Sequence, residues 1–195
     1  MDGPKVVSTR EAAAALREGK VVLAPTETVA GLVADSSGLE RVREIKGRDR
    51  DKPIALLCRS AEEAFSLAAN VPPLARRLAD LFWPGALTLV LDLPGGGTVG
   101  VRVPDHPTIQ ALLDAYGGPL YATSANPSGE PAPASLAKVD PRVRDAVDLI
   151  VEGEGGGGEA SAVVDVSGGR VRLLRPTESL SEEKLARLAS EVEER

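Results

Sequence analysis

Between positions 46 and 52 the chain reads Lys46-Gly47-Arg48-Asp49-Arg50-Asp51-Lys52. Four cations within seven residues, with two carboxylates among them, make a local positive patch in a chain of formal net charge −6. Arginine offers a planar fork and lysine a point charge, and both suit phosphate oxygens, so the patch fits a polyanionic ligand. Cations at a helix end also complement the C-terminal dipole, and a solvated helix end explains these residues equally well. Other polar candidates stand at the ends of apolar runs. Thr26 and Thr28 follow residues 20–24, and Thr98 and Arg102 lie on the run after a triple glycine. Ser124 and Asn126 follow 120–123, Ser161 opens a late run and Arg175 closes the last one. Singly, each fits a cap, a turn or a solvated end. Together they argue for a ligand cleft, with short hydroxyls and amides as fixed donors and cations to neutralise phosphate.

Several chemistries find no support. One histidine and one cysteine, with no helical pair of ligands, leave no metal signature. His106, between Asp105 and Pro107, reads as a turn histidine, and there is no G-x-S-x-G elbow for it to serve. Neither a G-x-x-x-x-G-K-[ST] loop nor a G-x-G-x-x-G turn after a strand occurs, so a bound nucleotide is not held by a P-loop or a dinucleotide fold. The acidic balance gives no global attraction for nucleic acid. One cysteine, Cys58, excludes an internal disulfide and fits a reducing compartment. No apolar run approaches a membrane span and the N-terminus lacks a signal core, so the expectation is a soluble cytoplasmic protein.

The elements that must position these residues follow from pattern. At 195 residues, 43% of them hydrophobic, the chain suits a single domain over 1–195 with a core of Val, Leu and Ala. Ser8 and Glu11 form a capping box for a helix through Arg17, closed by Gly19. Residues 20–24 read as a buried strand, 25–28 as a polar turn and 39–45 as a helix running into the cationic patch. Ser60 with Glu63 predicts a second capping box and a helix over 61–69. Pro72-Pro73 opens a helix with Leu74, Leu78 and Leu81 on one face. Residues 86–93 and 98–103 predict an antiparallel hairpin across Pro94-Gly95-Gly96-Gly97, and 161–166 and 170–174 another across Gly168-Gly169. A helix follows Pro107, with Ile109, Leu112, Leu113 and Tyr116 inward. The last helix turns Leu185, Leu188 and Val192 inward. Residues 155–158, four glycines, predict a flexible tract, either mobile or closing on a ligand. Strands and helices mix without strict alternation, so the fold class is α/β (α+β), a twisted mixed parallel/antiparallel sheet flanked by helices.

These residues carry a family resemblance. Pro25-Thr26-Glu27-Thr28-Val29-x-Gly31-Leu32, Lys46-x-Arg48, Trp83-Pro84-Gly85, Val101-Arg102-Val103-Pro104-x-His106-Pro107, Ser124-Ala125-Asn126 and Leu173-Leu174-Arg175-Pro176 occur in family order over roughly residues 5–176. In this the chain resembles the YrdC/TsaC-type threonylcarbamoyl-AMP synthases, in their short form.

The resemblance implies a sheet around a concave, positively lined cavity. It also implies an L-threonylcarbamoyladenylate synthase: L-threonine, bicarbonate and ATP, with Mg²⁺ expected alongside ATP, give threonylcarbamoyl-AMP and pyrophosphate. A downstream tRNA threonylcarbamoyl transferase complex would use the product. Under this resemblance Lys46 and Arg48 are the catalytic cations, their heads in an open, solvent-filled cleft. Arg48, Lys52, Thr98, Ser124, Asn126 and Arg175 bind ATP. Thr28, Arg102 and Ser161 hold threonine, with Thr26 supporting the same wall and Arg102 suited to the carboxylate. The sequence departs from the family pattern at Ala30, where an aromatic is usual, at Leu57, at Ser161-Ala162 and at Arg175-Pro176-Thr177. Ala30 in particular leaves a short wall in the expected amino-acid pocket. Two other readings are an RNA-binding or ribosome-associated protein of this fold and a carbamoyl-adenylate-forming relative with another acceptor.

Overall fold

The computed structural model describes residues 3–47 and 53–194 of the chain. Ten strands are formed: β1 (Lys5–Val7), β2 (Val22–Ala24), β3 (Gly31–Ala34), β4 (Ala55–Leu57), β5 (Leu87–Asp92), β6 (Thr98–Arg102), β7 (Leu120–Ser124), β8 (Leu149–Val151), β9 (Ala162–Asp165) and β10 (Arg172–Arg175). They make one sheet in the order β1-β8-β2-β3-β7-β4-β6-β5-β9-β10. Pairings are mixed, as expected: β4 runs parallel to β6 and antiparallel to β7. Both expected hairpins form, β5 with β6 and β9 with β10, and both are antiparallel.

The helices are α1 (Thr9–Arg17), α2 (Leu39–Lys46), α3 (Ala61–Ser66), α4 (Pro73–Phe82), α5 (Pro107–Tyr116), α6 (Pro141–Arg144) and α7 (Glu182–Glu193). The first capping box is complete: Ser8 Oγ accepts from the Glu11 amide while Glu11 returns to the Ser8 amide. The second is not. Ser60 caps the Glu63 amide, but the Glu63 carboxylate turns to the backbone and guanidinium of Arg59, and α3 ends at Ser66. Along α4, Leu74, Ala75, Leu78 and Ala79 are buried while Leu81 is 45% exposed. The inward stripe is centred between the leucine and alanine rows, which leaves Leu81 about a quarter-turn off it.

Three clusters of buried side chains decide where a ligand can go. One half of the sheet is sandwiched, with α1 and α5 on one face and residues of α2 and α6 on the other. Among the described residues the other half, β6-β5-β9, is covered on a single face by α3, α4 and α7, and β4 lies at the seam, with Leu56 in this core and Leu57 in the layer of α1 and α5. Strand alternation then sorts the side chains. Leu87, Leu89 and Leu91 of β5, Val99 and Val101 of β6, and Ala162 and Val164 of β9 enter the covered core. Their neighbours Thr88, Val90, Thr98, Gly100, Arg102 and Val163 face the other way, where no helix among the described residues covers them, and they line a cleft.

Candidate active site

The cleft has a volume of about 310 Å³. It opens where the layer of α1 and α5 stops, since Leu57 and Ala122 belong both to that layer and to the cleft wall. Of the residues singled out from sequence, Thr26, Thr28, Thr98, Arg102, Ser124, Ser161 and Arg175 all line it. Arg48 and Lys52 lie outside the described residues; among the described ones Arg102 and Arg175 are the cations in the cleft wall.

Turn 25–28 is a clasp of hydroxyls. Thr26 Oγ1 donates to the Val29 carbonyl (2.7 Å) and accepts from the amides of Thr28 and Val29. With its proton spent there, its 3.0 Å contact to Thr28 Oγ1 must be a bond that Thr28 donates. Thr28 Oγ1 in turn accepts from Arg102 Nη1 (3.0 Å). Proton counting therefore leaves Thr28 one lone pair for a ligand and no donor. Thr26 is spent on the turn and supports the wall by holding Thr28.

Arg102 is anchored on three sides: Nε to the Gly85 carbonyl, Nη1 to Thr28 and Nη2 to Glu27 Oε1. A guanidinium carries five N–H donors, so one on each terminal nitrogen remains for a ligand such as a carboxylate. Glu27 also accepts the Asp105 amide on Oε1, while its Oε2 is buried with no partner among the described residues. Sequence reasoning passed over Glu27, although it sits between the two threonines it did choose.

On the opposite wall Ser161 Oγ meets Thr88 Oγ1 at 2.9 Å and accepts from Arg175 Nη2 at 3.2 Å. Arg175 Nε holds the Ser161 carbonyl. Burial against this wall, with Arg102 a nearby like charge, moves the Arg175 guanidinium below its ordinary pKa; it remains a cation. Its place depends on a register shift between Leu173 and Arg175, which pairs Arg175 with Val163 on the cleft face. An unbroken ladder would have set it opposite Ala162, on the covered face. Thr88 is a second residue the sequence reading missed. The signal was there, because it stands between leucines that alternation sends into the core.

Two expectations are corrected. Lys46 is 2% exposed rather than in an open, solvent-filled cleft. It occupies the last turn of α2, which Gly47 ends in a left-handed conformation. Its ammonium donates to the backbone carbonyl of Ser124, to that of Asn126 (2.7 Å) and to Asn126 Oδ1 (3.3 Å). The Asn126 amide donates to the carbonyls of Pro127 and Glu130, so this side chain is committed to its own loop and is absent from the cleft wall. Lys46 and Asn126 thus shape the loop that presents Ser124. Ala30 is the other correction. It is 1% exposed and packs with Leu32, Ala125 and Val139 on the far face of the sheet, while Val29 and Gly31 line the cleft. Alternation turns it away, so the missing aromatic leaves no gap in the described wall.

The glycine tract is docked. The amides of Gly157 and Gly158 donate to the carbonyls of Glu27 and Thr28 (both 2.8 Å), and His106 Nε2 donates to the Glu154 carbonyl (2.7 Å). A Cβ on Gly156, whose φ is +108°, would lie 1.5 Å from the Ala134 carbonyl oxygen. Glycine is required because the strand of chain passes through a gap that admits backbone alone.

A family model described as telomere recombination, the Sua5/YciO/YrdC model, matches residues 14–177. The chain belongs to this family. It is 40% identical over 180 residues to the threonylcarbamoyl-AMP synthase of Pyrococcus abyssi, covering 86% of this chain and 53% of that protein. Its identity to the Bacillus subtilis threonylcarbamoyl-AMP synthase is 38%, covering 85% and 52%. The chain spans about half the length of these relatives. The crystal structure of P. abyssi Sua5 complexed with L-threonine superposes with a TM-score of 0.83 at 37% identity, over 92% of this chain and 56% of that one. The family fold, a mixed sheet flanked by helices, is the fold described above.

Proposed function

We propose that this chain is an L-threonylcarbamoyladenylate synthase, a nucleotidyltransferase condensing L-threonine, bicarbonate and ATP to threonylcarbamoyl-AMP and pyrophosphate. The observation that carries the reading is the meeting of two guanidiniums, Arg102 and Arg175, with the hydroxyls of Thr28 and Ser161 in one cleft. In this reading the two unspent donors of Arg102 take the amino-acid carboxylate, and the free lone pair of Thr28 takes an N–H of the amine. The amine, once deprotonated, attacks the bicarbonate carbon and water leaves; an oxygen of the new carbamate attacks the α-phosphorus and pyrophosphate departs. These steps need proximity and charge neutralisation and no protein nucleophile.

Thr98, Ser124 and Arg175 are assigned to the nucleotide, with Arg48 and Lys52 on its phosphates. Lys46 is assigned a positioning role through the Ser124–Asn126 loop. Mg²⁺ fits as part of the MgATP complex: the described cleft wall offers hydroxyls and no carboxylate, so phosphate oxygens and water would be its ligands. The product would pass to a transferase acting on tRNA.

The test is pyrophosphate release from ATP, with bicarbonate and each amino acid omitted in turn. Turnover should require ATP, bicarbonate and threonine together. Release indifferent to bicarbonate and threonine would overturn the reading.

A further inference from the structure

Thr88 has no role in the assignments above, yet it is 7% exposed, lines the cleft and shares a hydrogen bond with Ser161. The pair holds two hydroxyl protons. One lies in the bond between the two oxygens, whichever of them donates it. Ser161 Oγ receives Arg175 Nη2 and so already acts as an acceptor there. Among the described residues neither hydroxyl donates to a further protein acceptor, so the second proton is unspent. The pair is thus a donor facing the cleft, the converse of Thr28, whose remaining capacity is acceptance.

The space beside the pair is also built. Gly100, on the neighbouring strand, faces the cleft, and a Cβ there would meet Thr88 Cγ2 at 3.3 Å and Ala55 Cβ at 3.4 Å. Without that Cβ the floor beside Thr88 stays open to a small ligand group. Nearby Val90 and Val163 are apolar, so a ligand oxygen reaching this corner finds the hydroxyl pair and the Arg175 guanidinium as its polar partners.

We infer that Thr88, paired with Ser161, is a specificity-determining residue that reads the side-chain hydroxyl of a β-hydroxy amino acid: Ser161, whose Oγ accepts from Arg175, donates to Thr88 Oγ1, and Thr88 donates its own proton to the ligand. This rests on the amino-acid site proposed above. It assigns the carboxylate to Arg102, the amine to Thr28 and the side-chain oxygen to the Thr88–Ser161 pair. The physical reason for selectivity is that a ligand of threonine's shape without the hydroxyl, such as L-valine, would leave a buried donor unsatisfied.

Thr88→Val keeps the shape and the strand preference and removes only the hydroxyl; Thr88→Ser keeps the hydroxyl and removes the methyl. Calorimetric binding of L-threonine, L-serine and L-valine to each protein reads the site directly, and pyrophosphate release with the same amino acids reads turnover. In the wild type threonine should bind better than valine. In Thr88→Val the threonine-to-valine preference should fall about tenfold or more, through the threonine KM, with the ATP KM unchanged. Thr88→Ser should retain the preference. A Thr88→Val protein with normal thermal midpoint and undiminished preference overturns the inference, as does a wild type that binds valine as well as threonine. Failure of the functional reading is separate: selective threonine binding without bicarbonate-dependent pyrophosphate release would sink the synthase assignment and leave the hydroxyl reader standing.

Discussion

At the scale of single residues, the main lesson is that a functional side chain can act by holding others. Lys46 stands in the most conspicuous cationic stretch of the sequence, yet its ammonium is spent on carbonyls of the Ser124–Asn126 loop. A charged hydrogen bond is worth about 1.5–3 kcal/mol, and removing the donor leaves buried carbonyls unpaired. Lys46→Met should therefore lower the thermal midpoint without ligand by about 5 °C or more, as well as weakening nucleotide binding. A lysine in an open cleft would give weaker nucleotide binding at an unchanged midpoint. Thermal unfolding of the unliganded variant decides between them.

Among the elements, the glycine segment 153–158 changes most between sequence and structure. Composition predicts flexibility, but the segment crosses turn 25–28 and bonds to the carbonyls of Glu27 and Thr28. It therefore braces the turn that supplies Thr28 and, through Glu27, the anchor of Arg102. Gly156→Ala should expel it, since the new methyl would collide with the Ala134 backbone and φ is positive. Hydrogen exchange should then show lost protection at the Gly157 and Gly158 amides. The threonine KM should rise more than the ATP KM. Retained amide protection with an unchanged threonine KM would show that the segment does not brace the turn.

For the whole molecule, acid stability follows from the end of the sheet. Asp165 is buried at the β9–β10 hairpin, where Ser167 and Arg172 hydrogen-bond its carboxylate. Burial alone would raise its pKa; those hydrogen bonds outweigh it and the net shift is downward. A depressed folded pKa means the stabilisation is fully present above the unfolded value, about 3.9, and is lost as pH falls through the lower folded value. Asp165→Asn should cost about 2 kcal/mol at neutral pH, and the two unfolding curves should converge as pH falls through the lowered folded value. Denaturant titrations from pH 7 to 2.5 test this; a constant gap between the proteins would show that the ionised carboxylate contributes nothing. Because β10 carries Arg175, loss of this corner should also weaken the cleft.

Period and punctuation carry much of this molecule. Caps at Ser8 and Ser60, the stop at Gly47, both hairpins and the alternation of β5 are local, set by hydrogen bonds and side-chain directions within a few residues. Alternation also contained Thr88, and it turned Ala30 away from the cleft once the flanking Val29 and Gly31 faced it. The order of motifs along the chain was enough to identify the family. Sequence could not say which face of each strand a helix would cover, and that choice decides which half of an alternating strand becomes a ligand wall. Nor could it place the register shift that turns Arg175 toward Ser161, since a bulge depends on the partner strand. The burial of Lys46 depends on a loop about eighty residues away, and the docking of the glycines on a turn well over a hundred residues before them. Those contacts exist only when distant segments pack, so they were decided by the tertiary structure alone.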